Sequence, residues 1–399
     1  MTRYDYVFAG GGAAALSLAC RLAASPLRDR SMLIVDRLPE PCADRTFCFW
    51  TAGPTLFDAA VSHAWDRLLV AGPEGLVERP TAPYRYAMIA GADFARLARA
   101  RLASAAPNVT FRTGMVTHIA DGPDAAVVTV EGEPVSATWV FDSRPVPAPM
   151  APDTVHYLHL RQVFWGWTIE TPAPAFDPAR PTFLDFRTPQ GDEMRFLYVL
   201  PLSPTRALGE FVANGAAVLR RDDCAAALDA YLRDVLHLPA YTVVAEEHGI
   251  TPLTDQPFPR RAGRRVLNIG LRGGRGKPTT GYAFARIQAD AAAVARSLLR
   301  AGHPFALPPD SRRYRLYDRV LLQILATEGE RLDPIFLQMF QRNPLPRVLR
   351  FLDEAGTPAD DLALIRTLPP RHFLEAGFHL TVVHPLLDAG RRLTGKALS

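Results

Sequence analysis

The chain has 399 residues, 48% hydrophobic and 22% charged, with a formal net charge of +4. That length suits two or three domains around a large core, and the small charge with no accompanying motif argues against nucleic acid as a partner, although arginines cluster at Arg260, Arg261, Arg264 and Arg265 and at Arg312, Arg313, Arg315 and Arg319. No uncharged apolar run approaches the length of a bilayer span, and Cys20, Cys42, Cys48 and Cys224 fall in no metal-ligand or redox-pair spacing, which reads as reduced thiols in a cytosolic protein without a metal site.

The first thirty-six residues form a complete local unit. Tyr4, Tyr6, Val7 and Phe8 read as a buried strand, Gly10-Gly11-Gly12-Ala13-Ala14-Ala15 as a turn, and Leu16 to Ala23 as a helix by apolar spacing. Asp5 before this run and the glycines that open it exclude a signal peptide. A second strand from Ser31 to Val35 ends in Asp36. Gly10 permits the tight turn, Gly12 lets the backbone approach a diphosphate, and Ala15 keeps helix and strand close. The free amides of the helix start attract the anion, and Asp36 is placed to accept from ribose hydroxyls. A glycine turn with no ligand is the bland reading; the complete strand–helix–strand–acid order favours a nucleotide.

Further along, Glu40 to Trp50 packs Phe47, Phe49 and Trp50 beside Asp44 and Arg45, which suits either core or a loop beside an apolar ligand. Tyr84 to Ile89 reads as a strand and Asp93 to Leu102 as a helix capped by Asp93. Segments 109–112, 114–119, 126–131 and 134–141 read as a small antiparallel sheet, whose end at Asp142 returns the chain to the nucleotide-binding sheet. The proline-dense stretch from Pro145 to about Pro181 reads as a crossing between domains, and within it His156 to Trp167 is a strand facing an apolar space.

Glu193 to Leu200 and Arg206 to Val212 form a hairpin, with Glu210 inside the second strand. Alternation alone favours the solvent face for Glu210 over an apolar pocket that would raise its pKa. A helix follows from Asp222 to Leu236, then a strand from Tyr241 to Ile250 whose Glu246, Glu247 and His248 read as an exposed end. Arg265 to Ile269 opens a second glycine-rich loop, Gly270 to Tyr282, and a helix from Ala283 to Arg300. A second amide-lined anion site late in the chain fits a long dinucleotide such as FAD. In the C-terminal region, Leu321, Leu322, Ile324, Leu325, Phe336, Leu337, Met339 and Phe340 suit core packing first and a membrane surface second.

Taken together, Gly10 to Ala15, DRTFCFW at 44–50, FDSR at 141–144, PLSPTRALGEF at 201–211, EEHGITPLT at 246–254 and KPTTGYAF at 277–284 resemble the bacterial lycopene cyclase family of flavoproteins. The resemblance implies an α/β fold: an FAD-binding, Rossmann-like domain of the aromatic-hydroxylase and glutathione-reductase type (1–45, 85–150 and 262–300), an antiparallel-sheet carotenoid domain (46–84 and 151–261), and a helical C-terminal region (301–399). It implies cyclisation of lycopene's open ends to β-ionone rings without net redox change, with NAD(P)H needed only to keep FAD reduced, and attachment to the membrane periphery on the cytoplasmic side. By position, Glu210 matches the family's proton donor and Glu247 a second acid. Gly10, Gly12, Ala14, Ala15, Asp36, Arg45, Thr46, Asp142, Gly270, Lys277, Thr280, Gly281 and Tyr282 are expected at the cofactor. Phe49, Trp50, Trp165, Trp167 and Phe211 are expected to line the substrate site, with Phe47 and Phe164 as further candidates. Two departures stand out: Phe-Val-Ala-Asn follows Glu210 where relatives often have a hydroxyl residue, and Lys277 replaces the histidine of many members. The rival classes are a redox flavoenzyme on the same scaffold, such as a monooxygenase or isoprenoid reductase, and a carotenoid carrier without turnover.

Overall fold

The computed structural model describes residues 1–145 and 152–383. Residues 146–151 of the expected interdomain crossing, and 384–399 of the expected helical region, lie outside the described residues.

The N-terminal unit folds as its pattern dictates. Arg3–Ala9 pairs in parallel with Met32–Asp36 on one side and with Glu133–Asp142 on the other, and Val109–Thr113 adds in parallel beside Met32–Asp36. Val266–Asn268 adds in parallel to the end of Glu133–Asp142. Val7, Phe8 and Ala9 are fully buried because both faces of this sheet are covered, as a parallel sheet requires. The helices Ala13–Ala23 and Phe284–Ala301 pack on one face through Leu16, Leu18, Leu22, Val294 and Leu298. The small antiparallel sheet expected over 109–141 is only partly so. Val116–Ala120, Ala126–Val130 and Glu133–Asp142 are antiparallel, but Val109–Thr113 belongs to the parallel sheet. Asp93 likewise sits in the first turn of helix Gly91–Ala105 and bonds Arg96, while Ala90 holds the cap position.

A second, seven-stranded sheet runs in the order Thr242–Thr254, His159–Glu170, Arg206–Gly215, Met194–Ser203, Thr182–Asp185, Arg67–Gly72, Gly75–Pro80. The hairpin expected around Glu210 is its centre. One face carries the helix Arg221–Ala230, whose Cys224 and Leu228 pack with Val163, Trp165 and Phe211. The other faces a three-stranded sheet (Thr46–Thr51, Arg85–Ala90, His63–Trp65) and the tail helices Arg312–Glu328, Asp333–Arg342 and Leu345–Leu352. Leu322, Ile324, Leu325, Leu337, Met339 and Phe340 are buried here, so core packing is their use and a membrane surface is not. No helix among the described residues is long and apolar enough to cross a membrane.

Candidate active site

The site is built by strand register. In the second sheet Gly166 pairs with Glu210 on one neighbour and with Glu247 on the other, and Glu210 pairs with Tyr198 on the next strand. Directly opposed residues project from the same face, so both carboxyls and the Tyr198 ring rise on one side of the sheet. Gly166 leaves the gap in which the acids meet. A Cβ there would stand 3.1 Å from Glu247 Cγ and 3.3 Å from Glu210 Oε2. From the facing three-stranded sheet, Thr46 Oγ1 donates to Glu247 Oε2 at 2.7 Å.

Both faces of the sheet are covered near Glu210, which removes the solvent-face reading that alternation favoured. Burial pushes the Glu210 carboxyl well above the usual carboxylate range, and the charge of Glu247 and the hydrogen bond to it push the same way. Burial also raises Glu247, but there the Thr46 hydroxyl, Glu210 and Arg45 pull down. Both carboxyls of the pair are thus held above the ordinary range, Glu210 the more strongly, because burial disfavours charge and two charges this close disfavour each other. Glu247 is not the exposed strand end that the sequence pattern implied.

Beside the acids lies an aromatic chamber. The Tyr198 and Tyr282 hydroxyls are 2.6 Å apart, and Trp50 meets the Tyr282 ring edge-on at 5.3 Å between centroids. Phe183 lies parallel to Tyr282 at 6.4 Å and meets Phe340 of the tail at 6.0 Å. A cavity of about 30 Å³ is enclosed by Gln162, Phe183, Phe196, Tyr198, Tyr282 and Phe340, among others, so larger occupants require the side chains to move.

The other expected lining residues are elsewhere. Trp165, Trp167 and Phe211 alternate with Gly166 and Glu210 along their strands and so project from the opposite face. Trp165 stacks on His248 at 4.9 Å, Trp167 Nε1 donates to Glu246 at 3.1 Å, and Phe211 is fully buried under the helix Arg221–Ala230. Phe47 and Phe49 turn to the first domain and pack on Phe284 at 5.0 and 4.8 Å, leaving Trp50 on the chamber side. Phe164, paired with Val212, stays on the Glu210 face. The sequence reading missed Gly166, Tyr198 and Gln162. A lone glycine inside a strand marks a close approach, and that signal was present in HYLHLRQVFWGW.

The glycine turn has the form of an anion cradle. Gly10 has φ +100°, a left-handed conformation, and a Cβ there would fall 2.6 Å from Ser143 Oγ. Gly12 caps the helix Ala13–Ala23 without a side chain, and a Cβ on it would have no neighbour closer than Cys42 Sγ at 3.9 Å. Asp36 accepts from the amides of Gly11 at 2.7 Å and Leu38 at 2.9 Å. Gly270, φ +62°, packs so closely on Ala14 that a Cβ would lie 2.9 Å from the Ala14 Cβ, and this brings the second glycine loop against the first; Ala15 is fully buried behind them. In that loop Gly281 has φ +71°, and Thr280 Oγ1 is buried with no partner among the described residues.

Besides Asp36 and Tyr282, four more residues expected at a cofactor are engaged by protein groups. Asp142 is held by Arg144 in two hydrogen bonds of 2.9 Å and by Arg272 at 3.0 Å. Thr46 is spent on Glu247. Arg45 bonds the His248 carbonyl at 3.2 Å. Lys277 points its ammonium at Asp318 and Glu354 of the tail, at 2.6 and 3.0 Å.

A helix-flanked parallel sheet with a glycine turn, joined to an antiparallel sheet on which two acids meet, is the fold found in many flavoproteins. Solved structures agree on the fold. A geranylgeranyl bacteriochlorophyll reductase-like protein of Thermoplasma acidophilum superposes with a TM-score of 0.61 at 12% identity, over 94% of this chain and 98% of that one. A flavoprotein/dehydrogenase of Cytophaga hutchinsonii does so with 0.61 at 12%, over 98% and 100%. Within that class the chain belongs to the lycopene cyclase family, whose model, described as lycopene cyclase protein, matches residues 5–377. The lycopene beta-cyclase of Paracoccus sp. (strain N81106 / MBIC 01143) is 32% identical over 225 residues, 52% of this chain and 56% of that relative. The lycopene beta-cyclase of Pseudescherichia vulneris is 28% identical over 390 residues, 92% of this chain and 94% of that one. The match thus spans little more than half of the first relative and nearly all of the second.

Proposed function

We propose that the protein is a lycopene beta-cyclase, which closes the open end groups of lycopene to β-ionone rings by acid catalysis without net oxidation or reduction. The observation that carries this reading is the half-buried pair Glu210–Glu247, brought together over Gly166 beside an aromatic chamber, with the Glu210 carboxyl pushed up by desolvation. A carboxylic acid can protonate an alkene only where it is kept in its acid form and water is excluded from competing for the proton and the cation.

Glu210 delivers its proton to the terminal double bond, and the tertiary cation so formed is attacked by the next double bond, which closes the ring. The rings of Tyr198, Tyr282 and Trp50 offer their π faces to the passing positive charge. Once Glu210 has given up its proton, two carboxylates face each other over Gly166. Their repulsion makes the pair a strong base, fit to take back the proton that the new ring must lose. One proton given and one recovered leaves the product with the mass of lycopene.

The residues of the cradle fit FAD. The helix start at Gly12, which no side chain caps, the open space at that glycine and Thr280 Oγ1, buried with no partner among the described residues, are the features a dinucleotide would satisfy. Gly10, Gly12, Ala14, Ala15, Asp36, Gly270, Thr280, Gly281 and Tyr282 would hold it. When bound and reduced at the expense of NAD(P)H, FAD would supply negative charge near the cation. Lycopene is a bilayer solute, and Leu374 (71% exposed) and Phe378 (57% exposed) on the helix Pro370–Phe378, beside Arg371, offer a surface for membrane contact.

The test is anaerobic incubation of lycopene liposomes with protein, FAD and NADPH, followed by chromatography and mass measurement, with Glu210→Gln in parallel. Cyclised product of unchanged mass is expected from the wild type, and a loss of about a hundredfold or more from the variant. Full turnover by Glu210→Gln would end the assignment of that acid. A product heavier by oxygen or by hydrogen would instead favour the redox reading, to which the fold likeness to a reductase-like protein lends its support.

A further inference from the structure

Lys277 is buried, 5% exposed, and its ammonium bonds Asp318 Oδ1 at 2.6 Å and Glu354 Oε1 at 3.0 Å. Asp318 lies on the tail helix Arg312–Glu328, and Glu354 follows Leu345–Leu352. Thr279 Oγ1 donates to the same Asp318 oxygen at 3.0 Å, and Arg286, on the helix after the glycine loop, reaches Glu354 at 2.6 Å. Two cations and two carboxylates thus close on one another in the interior, where loss of one partner leaves an uncompensated buried charge.

The residues from Lys277 to Tyr282 form one tight turn. The Lys277 amide donates to the Tyr282 carbonyl and the Gly281 amide to the Lys277 carbonyl, both at 2.9 Å. Its outer side is gripped by the second sheet, since Gln162 Nε2 donates to the Thr280 carbonyl at 3.0 Å and Tyr282 bonds Tyr198. Its inner side is gripped by the tail through Lys277 and Thr279. Between these grips sits Thr280 Oγ1, buried with no partner among the described residues.

We propose that Lys277 is a positioning residue that ties the Thr280–Tyr282 segment to the helical tail, so that tail docking and cofactor binding form one coupled equilibrium. This rests on the reading of the glycine loops as an FAD cradle. Coupling is reciprocal: a tail that orders the cradle must itself be ordered by the cofactor.

The experiment titrates FAD into the purified full chain, followed by flavin fluorescence, and measures hydrogen exchange with and without FAD. Lys277→Met is expected to weaken FAD binding about tenfold, and FAD to slow exchange across residues 312–354 of the wild type as well as across 277–282. A folded Lys277→Met protein with unchanged FAD affinity, or exchange in 312–354 indifferent to FAD, would overturn the proposal. Should Lys277→Met fail to fold, Thr279→Val removes a single donor and is expected to weaken FAD about threefold; no change would overturn it equally. If the wild type takes up no FAD, the cofactor reading falls on its own. The tether is then judged by exchange in 277–282, faster in Thr279→Val than in wild type if it holds and the same in both if it is wrong.

Discussion

At Glu210 the chemistry and the stability of the protein pull in opposite directions. Its folded-state carboxyl titrates above the ordinary value of 4.5, because burial and Glu247 disfavour its charge. Below about pH 4 the group is protonated in both folded and unfolded chains and costs nothing. As pH rises past 4.5 the unfolded chain gains by ionising and the folded one does not, so stability falls until the folded pKa is reached. Glu210→Gln keeps a donor for Glu247 and removes this penalty. It should be nearly inactive yet melt a few degrees higher than wild type at pH 8, with the gap closing near pH 4, as thermal scans across pH would show. Equal melting curves at every pH would mean that Glu210 is ionised in the fold. Gly166 allows a second check at the same scale. An added methyl would press on Glu247 Cγ and Glu210 Oε2 at 3.1–3.3 Å, so Gly166→Ala should part the acids and lower turnover about tenfold or more while the sheet stays folded.

At the scale of the element, strand alternation decides what reaches the chamber. Trp165 and Trp167 look like lining residues in a sequence rich in aromatics, yet their neighbour Gly166 owns the chamber face and they own the other. Replacing Trp165 with Phe should therefore lower thermal stability and leave the affinity for lycopene unchanged, whereas Trp50→Phe, on the chamber side of Thr46–Thr51, should lower turnover severalfold with a smaller change in melting. Steady-state kinetics on both variants would separate the two faces. The same contrast explains what the sequence made legible. The strand–turn–helix–strand unit from Arg3 to Asp36 is local, so its elements and its glycine turn could be read from the sequence in their order. The acid pair is not local: Glu210 and Glu247 meet only because both strands flank Gly166, a register that no short window contains. Pattern alone put Glu210 in solvent, and the family resemblance, not periodicity, turned it inward. The ion pairs of Lys277 were illegible for a related reason, since its partners Asp318 and Glu354 come from far along the chain.

At the scale of the whole molecule, the proposed function raises the question of how a water-insoluble carotenoid would reach a chamber roofed by the tail. The apolar residues that roof the chamber, Phe336, Met339 and Phe340 among them, are drawn into the core with the second sheet, so they are not available to lipid until the chamber opens. What the tail leaves outside is different in kind. Leu374 and Phe378 are one turn apart on the helix Pro370–Phe378, strongly exposed, with Arg371 on the preceding turn and ion-paired to Glu375 at 2.9 Å. Such an apolar pair beside a cation costs free energy in water and is relieved at a lipid headgroup boundary. The double variant Leu374→Asp/Phe378→Asp should therefore lose most of its flotation with lycopene-bearing vesicles and most of its turnover on them. It should keep turnover on detergent-dispersed lycopene, because neither residue lines the chamber around Tyr198 and Tyr282. Equal flotation of variant and wild type would end the assignment of this helix to lipid contact.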